Sequence, residues 1–151
     1  MERIPINRIE LQIQSKGENV ALSRICIAAL ASQLEITLND LEEIKVAVSE
    51  AVSNAIIHGY ENNPEHMVTI TSLLYEDELV IEVIDAGIGI ADIQQALQPA
   101  YSTDPERMGL GFVFMQSFMD QVEVESELNH GTKVTLKKMI GSAGAEKKAV
   151  S

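Results

Sequence analysis

The chain has 151 residues, enough for one domain with a substantial core, and its 46% hydrophobic and 23% charged residues are ordinary for a globular protein. A formal net charge of -12, from 11 basic and 23 acidic residues, argues against direct nucleic-acid binding, which needs a basic surface. No apolar run approaches the roughly 20 residues of a membrane helix, no signal peptide is visible at the start, and the single cysteine, Cys26, cannot form an internal disulfide, so we expect a cytoplasmic protein outside the membrane.

The first predicted elements are a strand and a helix. From Ile9 to Ile13 apolar and polar residues alternate, which is the period-2 pattern of a half-buried strand. Ser15 and Glu18 have the spacing of a capping box, which predicts a helix from Glu18 to about Leu34. The apolar residues on one side of this helix are Leu22, Ile25 and Ala29.

A second helix is predicted to begin near Thr37 and to run to about His58, where Gly59 can end it. Its inward apolar stripe consists of Leu41, Ile44, Val48, Ala51 and Ala55. Glu50, Asn54 and His58 are spaced four apart, so they share one helix face at the edge of that stripe. A carboxylate, an amide and an imidazole there indicate a polar partner, although a solvated helix edge is the alternative.

The rest of the sequence predicts four strands and two helices. The strands are Met67–Tyr75, Leu79–Ile84, Gln121–Glu127 and Thr132–Lys138. The helices are a short one at 91–97 and another at 109–119, with a loop at 98–107 between them. This order favours an α+β two-layer sandwich, with a mixed, mostly antiparallel sheet covered on one face by helices. We expect one domain over residues 1–138 and a disordered tail over residues 139–151.

Two glycine motifs occur, one after a predicted strand and one at the start of a predicted helix. Asp85, Gly87 and Gly89 come directly after the second strand of the first hairpin; a tight turn, with positive φ at the glycines, explains them equally well in isolation. Gly109 and Gly111 open a helix, where backbone N–H groups suit phosphate, although such pairs also occur in plain turns. The patterns are neither a P-loop, since no Gly-Lys-Ser/Thr follows, nor a dinucleotide fingerprint, since no parallel βαβ unit surrounds them.

In combination, these motifs resemble a known family. The order Glu-x-x-x-Asn on a helix, Asp-x-Gly-x-Gly after a strand, Gly-x-Gly opening a helix and Gly-Thr starting the last strand resembles the Bergerat-type ATP-binding fold shared by gyrase, Hsp90, histidine kinases and MutL. The segments EIKVAVSEAVSNAIIHGYENNPE, DAGIGI, ERMGLGF and FMDQVEVES are similar to the anti-sigma serine kinases of spore-forming bacteria. The resemblance extends from about Ile9 to Lys138.

The resemblance implies a site for ATP or ADP with Mg²⁺. Asn54 would then supply a Mg²⁺ ligand, Asp85 would accept a hydrogen bond from the adenine amine, and Thr132 would support the base through a water. Residues 98–107 would form the lid of the site. The full set that the resemblance assigns to the nucleotide is Asn54, Asp85, Gly87, Gly89, Arg107, Gly109, Gly111 and Thr132.

Glu50 decides which phosphoryl acceptor the resemblance implies. A serine hydroxyl is a weak nucleophile at neutral pH and needs a positioned base, and Glu50 lies one turn before Asn54. Histidine kinases of the family generally have Asn at this place. The implied protein is a homodimer that inhibits a sporulation sigma factor, sigma F, and phosphorylates an anti-anti-sigma protein on serine. Arg24 would contact sigma, and Arg107 the γ-phosphate or the substrate protein.

Three alternatives belong to other classes or branches. The first is a sister anti-sigma kinase that serves a general-stress sigma factor. The second is an ATP-binding switch without phosphotransfer, against which Glu50 argues. The third is the catalytic domain of a histidine kinase, which the Glu in place of Asn at position 50 disfavours.

Overall fold

The computed structural model describes residues 3–97 and 108–140. A five-stranded sheet carries helices on one face, so the fold is the α+β two-layer sandwich that the sequence predicts. The strands are β1 Asn7–Gln14, β2 Met67–Leu74, β3 Glu78–Asp85, β4 Gln121–Glu127 and β5 Gly131–Met139. The helices are α1 Glu18–Ala31, α2 Leu38–Asn54 with a π-helical turn at Ala55–Gly59, α3 Ile93–Ala96 and α4 Met108–Phe118.

The sheet has the strand order β1-β2-β3-β5-β4. All four ladders of the described strands are antiparallel, so the sheet is not mixed as predicted. β3 and β5 are adjacent inside the sheet, and their register sets Asp85 opposite Thr132. Two predicted site residues therefore meet across adjacent inner strands.

The core lies between the sheet and the helices. Alternate residues of β3, from Leu79 to Asp85, point toward the helices and are buried, while Glu78, Val80 and Glu82 face the other side. The apolar stripe predicted for α2 is confirmed, since four of its members are buried and Leu41 packs against the core. No helix in residues 3–97 and 108–140 is long and apolar enough to cross a membrane.

Helix α1 is rotated relative to the apolar side that its sequence suggests. Its buried residues are Ser23, Ile27, Leu30 and Ala31. Leu22 and Ile25 are 49% and 60% exposed, and Ala29 is exposed as well. The helix is apolar on both sides, so periodicity alone does not identify the buried one.

The capping box predicted at the start of α1 is wrong. Gly17 is the N-cap residue, and no side chain caps the helix. The Ser15 hydroxyl instead donates to the Asn63 carbonyl at 2.6 Å and accepts the His66 backbone N–H at 3.1 Å. Ser15 is 1% exposed. Its two hydrogen bonds connect the loop before β2 to the end of β1.

The end of the described chain is ordered further than the sequence suggests. β5 includes Met139, and Ile140 is 1% exposed in the core. The remainder of the predicted tail, residues 141–151, lies outside the described residues, as do the predicted lid, residues 98–107, and Arg107 within it.

A buried lysine, Lys138, joins α2 and α4. These two helices carry the predicted site residues Glu50, Asn54, Gly109 and Gly111. Lys138 Nζ donates to the carbonyl of Phe118, the last residue of α4, at 2.6 Å. The same atom lies 3.6 Å from a carboxylate oxygen of Glu43 and 3.9 Å from one of Asp40, both near the start of α2. The side chains of Lys138 and Asp40 are 9% and 7% exposed, so the charges are largely shielded from water.

Lys138→Met keeps most of the aliphatic stem but leaves Asp40 buried without this cation. Breaking a buried ion pair from one side costs about 3 kcal/mol, so we expect a clearly lower urea midpoint of unfolding. Lys133→Met is the matched control, because Lys133 also bridges two glutamates, yet its side chain is 38% exposed on the open sheet face. Its loss should stay below about 1 kcal/mol. Equal losses in the two variants would contradict the assigned role of Lys138.

Candidate functional site

A cavity of about 690 Å³ opens between the end of α2, the end of β3 and the start of α4. This volume is typical of a small-ligand pocket. Its walls are mostly apolar, and its polar residues include Asn54, His58, Asp85 and Thr132. Side chains from positions 54 to 132 of the sequence are thus brought to one place by the fold.

The π-helical turn shapes one wall of this cavity. Its backbone bond runs from the Tyr60 N–H to the Ala55 carbonyl at 2.9 Å, one residue more than in an α-helix. The Gly59 carbonyl then accepts the Ile88 N–H at 2.9 Å. Such turns are frequent at functional sites, and this one joins the helix of Asn54 to the loop that follows Asp85.

Asp85 is a nearly buried carboxylate, 7% exposed, at the end of β3. Burial raises its pKa, whereas backbone hydrogen bonds from Gly87 and Thr132 oppose that rise. The Gly87 N–H lies 2.9 Å from Asp85 Oδ1. A largely buried carboxylate with few hydrogen bonds gains strongly from a further N–H donor, such as the amine of a base.

The two glycines after Asp85 are needed for different reasons. Gly89 has φ +74°, a conformation that favours glycine, as the sequence predicts. Gly87 does not have a positive φ; a Cβ there would lie 2.0 Å from the Gly59 carbonyl oxygen. Close contact with the π-helical turn therefore requires glycine at position 87, a constraint that only the tertiary structure reveals.

Glu50 and Asn54 face the start of α4. A Cβ on Gly111 would lie 2.9 Å from Glu50 Oε2 and 3.5–3.6 Å from the side-chain amide atoms of Asn54, so Gly111 lets the two helices approach here. The Asn54 side-chain nitrogen is buried without a hydrogen-bond partner among the described residues. An amide with unused hydrogen-bonding capacity at a cavity wall fits a polar ligand or a metal-bound triphosphate.

The fit to Mg²⁺ rests on this amide. An Asn side-chain oxygen is a suitable hard ligand, and Mg²⁺ in phosphate sites usually takes one or two protein oxygens, with phosphate and water as the others. No group of three or more His, Cys, Asp or Glu residues that could hold a metal ion occurs in the described part of the chain. The residues present suit an ion carried by a triphosphate.

Tyr60 is a site residue that sequence reasoning missed. Its hydroxyl donates to the Met67 carbonyl at 2.6 Å and accepts the Ala86 N–H at 2.8 Å, so it holds the residue next to Asp85. Burial raises the pKa of Tyr60, and the charge of Asp85 adds to the rise. The only signal in the sequence is a tyrosine directly after the glycine that ends the helix, which packing alone would explain.

The structure gathers most of the predicted nucleotide residues around the cavity. Asn54, Asp85, Gly89 and Thr132 line it; Gly87, Gly109 and Gly111 belong to the loop and helix at its edges, and Glu50 lies one turn from Asn54. Arg24, on α1, is not among the cavity-lining residues. The prediction for Arg107 lies outside the described residues.

Comparison with known proteins agrees with this geometry. The family model for the histidine kinase-like ATPase domain matches residues 13–138. The chain is 47% identical over 134 residues to the anti-sigma F factor of Clostridium beijerinckii, covering 87% of this chain and 94% of that protein. It is 49% identical over 142 residues to the anti-sigma F factor of Geobacillus thermodenitrificans, covering 92% of this chain and 97% of that protein.

Two solved structures share the fold. The RsbU and RsbW domains of a Mycobacterium tuberculosis protein match with a TM-score of 0.63 and 17% identity, over 91% of this chain and 33% of that one. The histidine kinase domain of a blue-light-activated kinase from Erythrobacter litoralis matches with a TM-score of 0.57 and 17% identity, over 88% of this chain and 64% of that one.

Proposed function

The chain belongs to the histidine kinase-like ATPase family, and from this premise we propose that it is an anti-sigma factor that inhibits sigma F and uses ATP to phosphorylate its anti-anti-sigma antagonist on serine. The curated relatives named anti-sigma F factor support the proposal, since they match over nearly their whole length. The observation that carries the chemistry is the placement of Glu50 one turn before Asn54, with both side chains against Gly111.

In the proposed reaction the serine hydroxyl oxygen of the antagonist attacks the γ-phosphorus of ATP. The bond between that phosphorus and the β–γ bridging oxygen breaks, so the products are phosphoserine and ADP. Glu50 accepts the hydroxyl proton, because a serine needs a positioned base at neutral pH. Mg²⁺, when bound, neutralises part of the triphosphate charge.

The remaining site residues bind and orient the nucleotide. Asp85 accepts a hydrogen bond from the adenine amine, for which its burial and its few hydrogen bonds suit it. Asn54 would hold Mg²⁺ through its amide oxygen; a half-turn of the amide exchanges its oxygen and nitrogen, so either can face the cavity. The first turn of α4, with Gly109 and Gly111, offers backbone N–H groups to phosphate.

The proposed sigma-binding surface is the outer side of α1. Arg24, which is partly exposed, lies on this helix, and the side chains of Leu22 and Ile25 on the same helix are about half exposed. Exposed apolar side chains together with an arginine are typical of protein–protein interfaces. The proposal also includes a homodimer, which sedimentation equilibrium would measure directly.

Arg24→Glu should weaken capture of sigma F at least tenfold, because a charge reversal in an interface loses an attraction and adds a repulsion. ATP affinity should stay unchanged, since Arg24 is not among the cavity-lining residues. Arg8→Glu is the matched control, an exposed arginine on the open sheet face that pairs with Glu10. Surface-immobilised sigma F with titrated variants gives the affinities. Normal capture by Arg24→Glu would remove this residue from the interface.

The function as a whole is tested by incubating the protein with γ-labelled ATP, Mg²⁺, sigma F and the antagonist. We expect phosphoserine to form on the antagonist. We also expect sigma-dependent transcription to be lost when the antagonist is absent. Nucleotide binding and sigma capture without label transfer would instead favour the switch without phosphotransfer. Capture of a general-stress sigma factor in preference to sigma F would favour the sister kinase.

A further inference from the structure

The Ser126 hydroxyl connects three pieces of the base end of the cavity. It accepts the Ile90 backbone N–H at 2.7 Å, in the loop that follows Asp85. It also lies 3.0 Å from the Gly131 carbonyl oxygen and 2.8 Å from the Thr132 hydroxyl oxygen. Ile90 and Thr132 both line the cavity, whereas Ser126 is not one of its lining residues.

Ser126 departs from the pattern of its own strand. In β4 the half-buried residues that face the helices alternate with exposed ones, and the first two of them are Val122 and Val124. The third position would suit another apolar residue by the same alternation. A hydroxyl there, with every hydrogen-bonding direction engaged by the walls of the site, indicates a role toward the cavity.

The hydroxyl protons of Ser126 and Thr132 can be placed in two ways. Ser126 has a single proton and two acceptors within reach, the Gly131 carbonyl and the Thr132 oxygen. If Ser126 donates to Gly131, Thr132 must donate to Ser126, and Thr132 can only accept from a ligand. If Ser126 donates to Thr132, the Thr132 proton is available to the ligand.

Adenine can be bound in either arrangement. Its amine is the hydrogen-bond donor that Asp85 receives, and the ring nitrogens on both sides of that amine are acceptors. A hydroxyl beside Asp85 can complement this edge in either arrangement: it donates to a ring nitrogen directly, or it accepts one proton of a water whose other proton goes to that nitrogen. Thr132 stands opposite Asp85 in the sheet, so it is the hydroxyl placed to do so.

We propose that Ser126 is a positioning residue for base selection, which fixes the Thr132 hydroxyl beside Asp85 through the hydrogen bond between the two hydroxyls. This inference rests on the proposed function, because it takes ATP as the nucleotide. Ser126 itself does not touch the base; it acts through Thr132 and through the loop position of Ile90.

The test measures ATP and GTP binding to the full chain with Mg²⁺, and steady-state phosphorylation of the antagonist. Ser126→Ala should weaken ATP binding and raise KM for ATP about tenfold, the value of one or two hydrogen bonds, while kcat stays within about twofold. GTP affinity should fall less than ATP affinity, because guanine carries an N–H donor and a carbonyl in place of the adenine pattern. Ser126→Thr keeps the hydroxyl and should restore ATP affinity to within about threefold.

Ser72→Ala is the matched control. Ser72 is 0% exposed on β2, and its hydroxyl has no partner among the described residues. The substitution removes the same atom from another strand of the sheet without touching the cavity, and it should leave the ratio of ATP to GTP affinity unchanged.

A double-mutant cycle with Thr132→Ala then separates positioning from general stabilisation. If Ser126 acts through Thr132, adding Ser126→Ala to Thr132→Ala weakens ATP binding by much less than the tenfold seen alone. Fully additive losses, or an equal loss of GTP affinity, would overturn the inference. A wild-type protein that does not prefer ATP to GTP would instead overturn the proposed adenine site itself, so the two failures are distinguishable.

Discussion

Glu50→Gln is expected to bind Mg²⁺-ATP and capture sigma F normally while phosphorylating the antagonist about 10²- to 10⁴-fold more slowly, the usual range for loss of a general base. Gln has nearly the shape of Glu, so the contact with Gly111 and the packing of α2 on α4 persist. Single-turnover formation of phosphoserine at saturating ATP measures the chemical step directly.

A control on the same helix decides how this loss is interpreted. Glu42→Gln removes a carboxylate that is exposed and that pairs with Lys45 on the surface in the described part of the chain. It should phosphorylate at the wild-type rate. A wild-type rate from Glu50→Gln would show that Glu50 is not the base, and would bring the switch without phosphotransfer to the front.

The second large effect is expected at Asp85. Asp85→Asn should weaken ATP binding about ten- to a hundredfold, because a hydrogen bond to a charged group is worth about 1.5–3 kcal/mol. Calorimetric titration with Mg²⁺-ATP measures the loss, and Asp77→Asn, in the exposed turn between β2 and β3, is the control. Unchanged ATP affinity in Asp85→Asn would remove this carboxylate from the site.

Asp85→Asn should have opposite effects on stability and on ATP affinity: the folded protein becomes more stable while ATP binding weakens. Burial raises the pKa of Asp85 above its ordinary value of 3.8, so folding favours its protonated form. The corresponding stabilisation is complete below the unfolded pKa and is lost as pH rises through the folded pKa. Asp85→Asn should therefore gain in unfolding midpoint relative to the wild type over the interval in which pH is raised from 3.8 to neutrality. A relative loss over that interval would contradict the assigned cause of the shift.

The parts of the fold that depend on local patterns were predictable from the sequence. Period-2 alternation identified the strands, and the spacing of apolar residues identified α2 with its polar edge. The order of the motifs also identified the family, because four separate short patterns agree. These features are local in sequence, so they need no knowledge of which elements meet.

The parts that depend on contacts between distant segments were not predictable. The hydroxyl of Ser15 serves the loop before β2 instead of capping α1, and α1 buries the side with Ser23 because of how it packs on α2 and the sheet. Tyr60 and Ser126 hold backbone groups 26 and 36 residues away in sequence. Nothing in the chain near either residue shows those partners.

The π-helical turn makes the site sensitive to chain length at one point. Its five residues form a wider turn than an α-helix does, because the backbone hydrogen bond closes one residue later. The Gly59 carbonyl is thereby directed to the Ile88 N–H. Deleting any one of them would let the segment relax to α geometry and rotate the downstream chain by about 100°. The turn therefore tolerates no deletion, so an alignment gap at this point would mark a relative that has abandoned this binding mode.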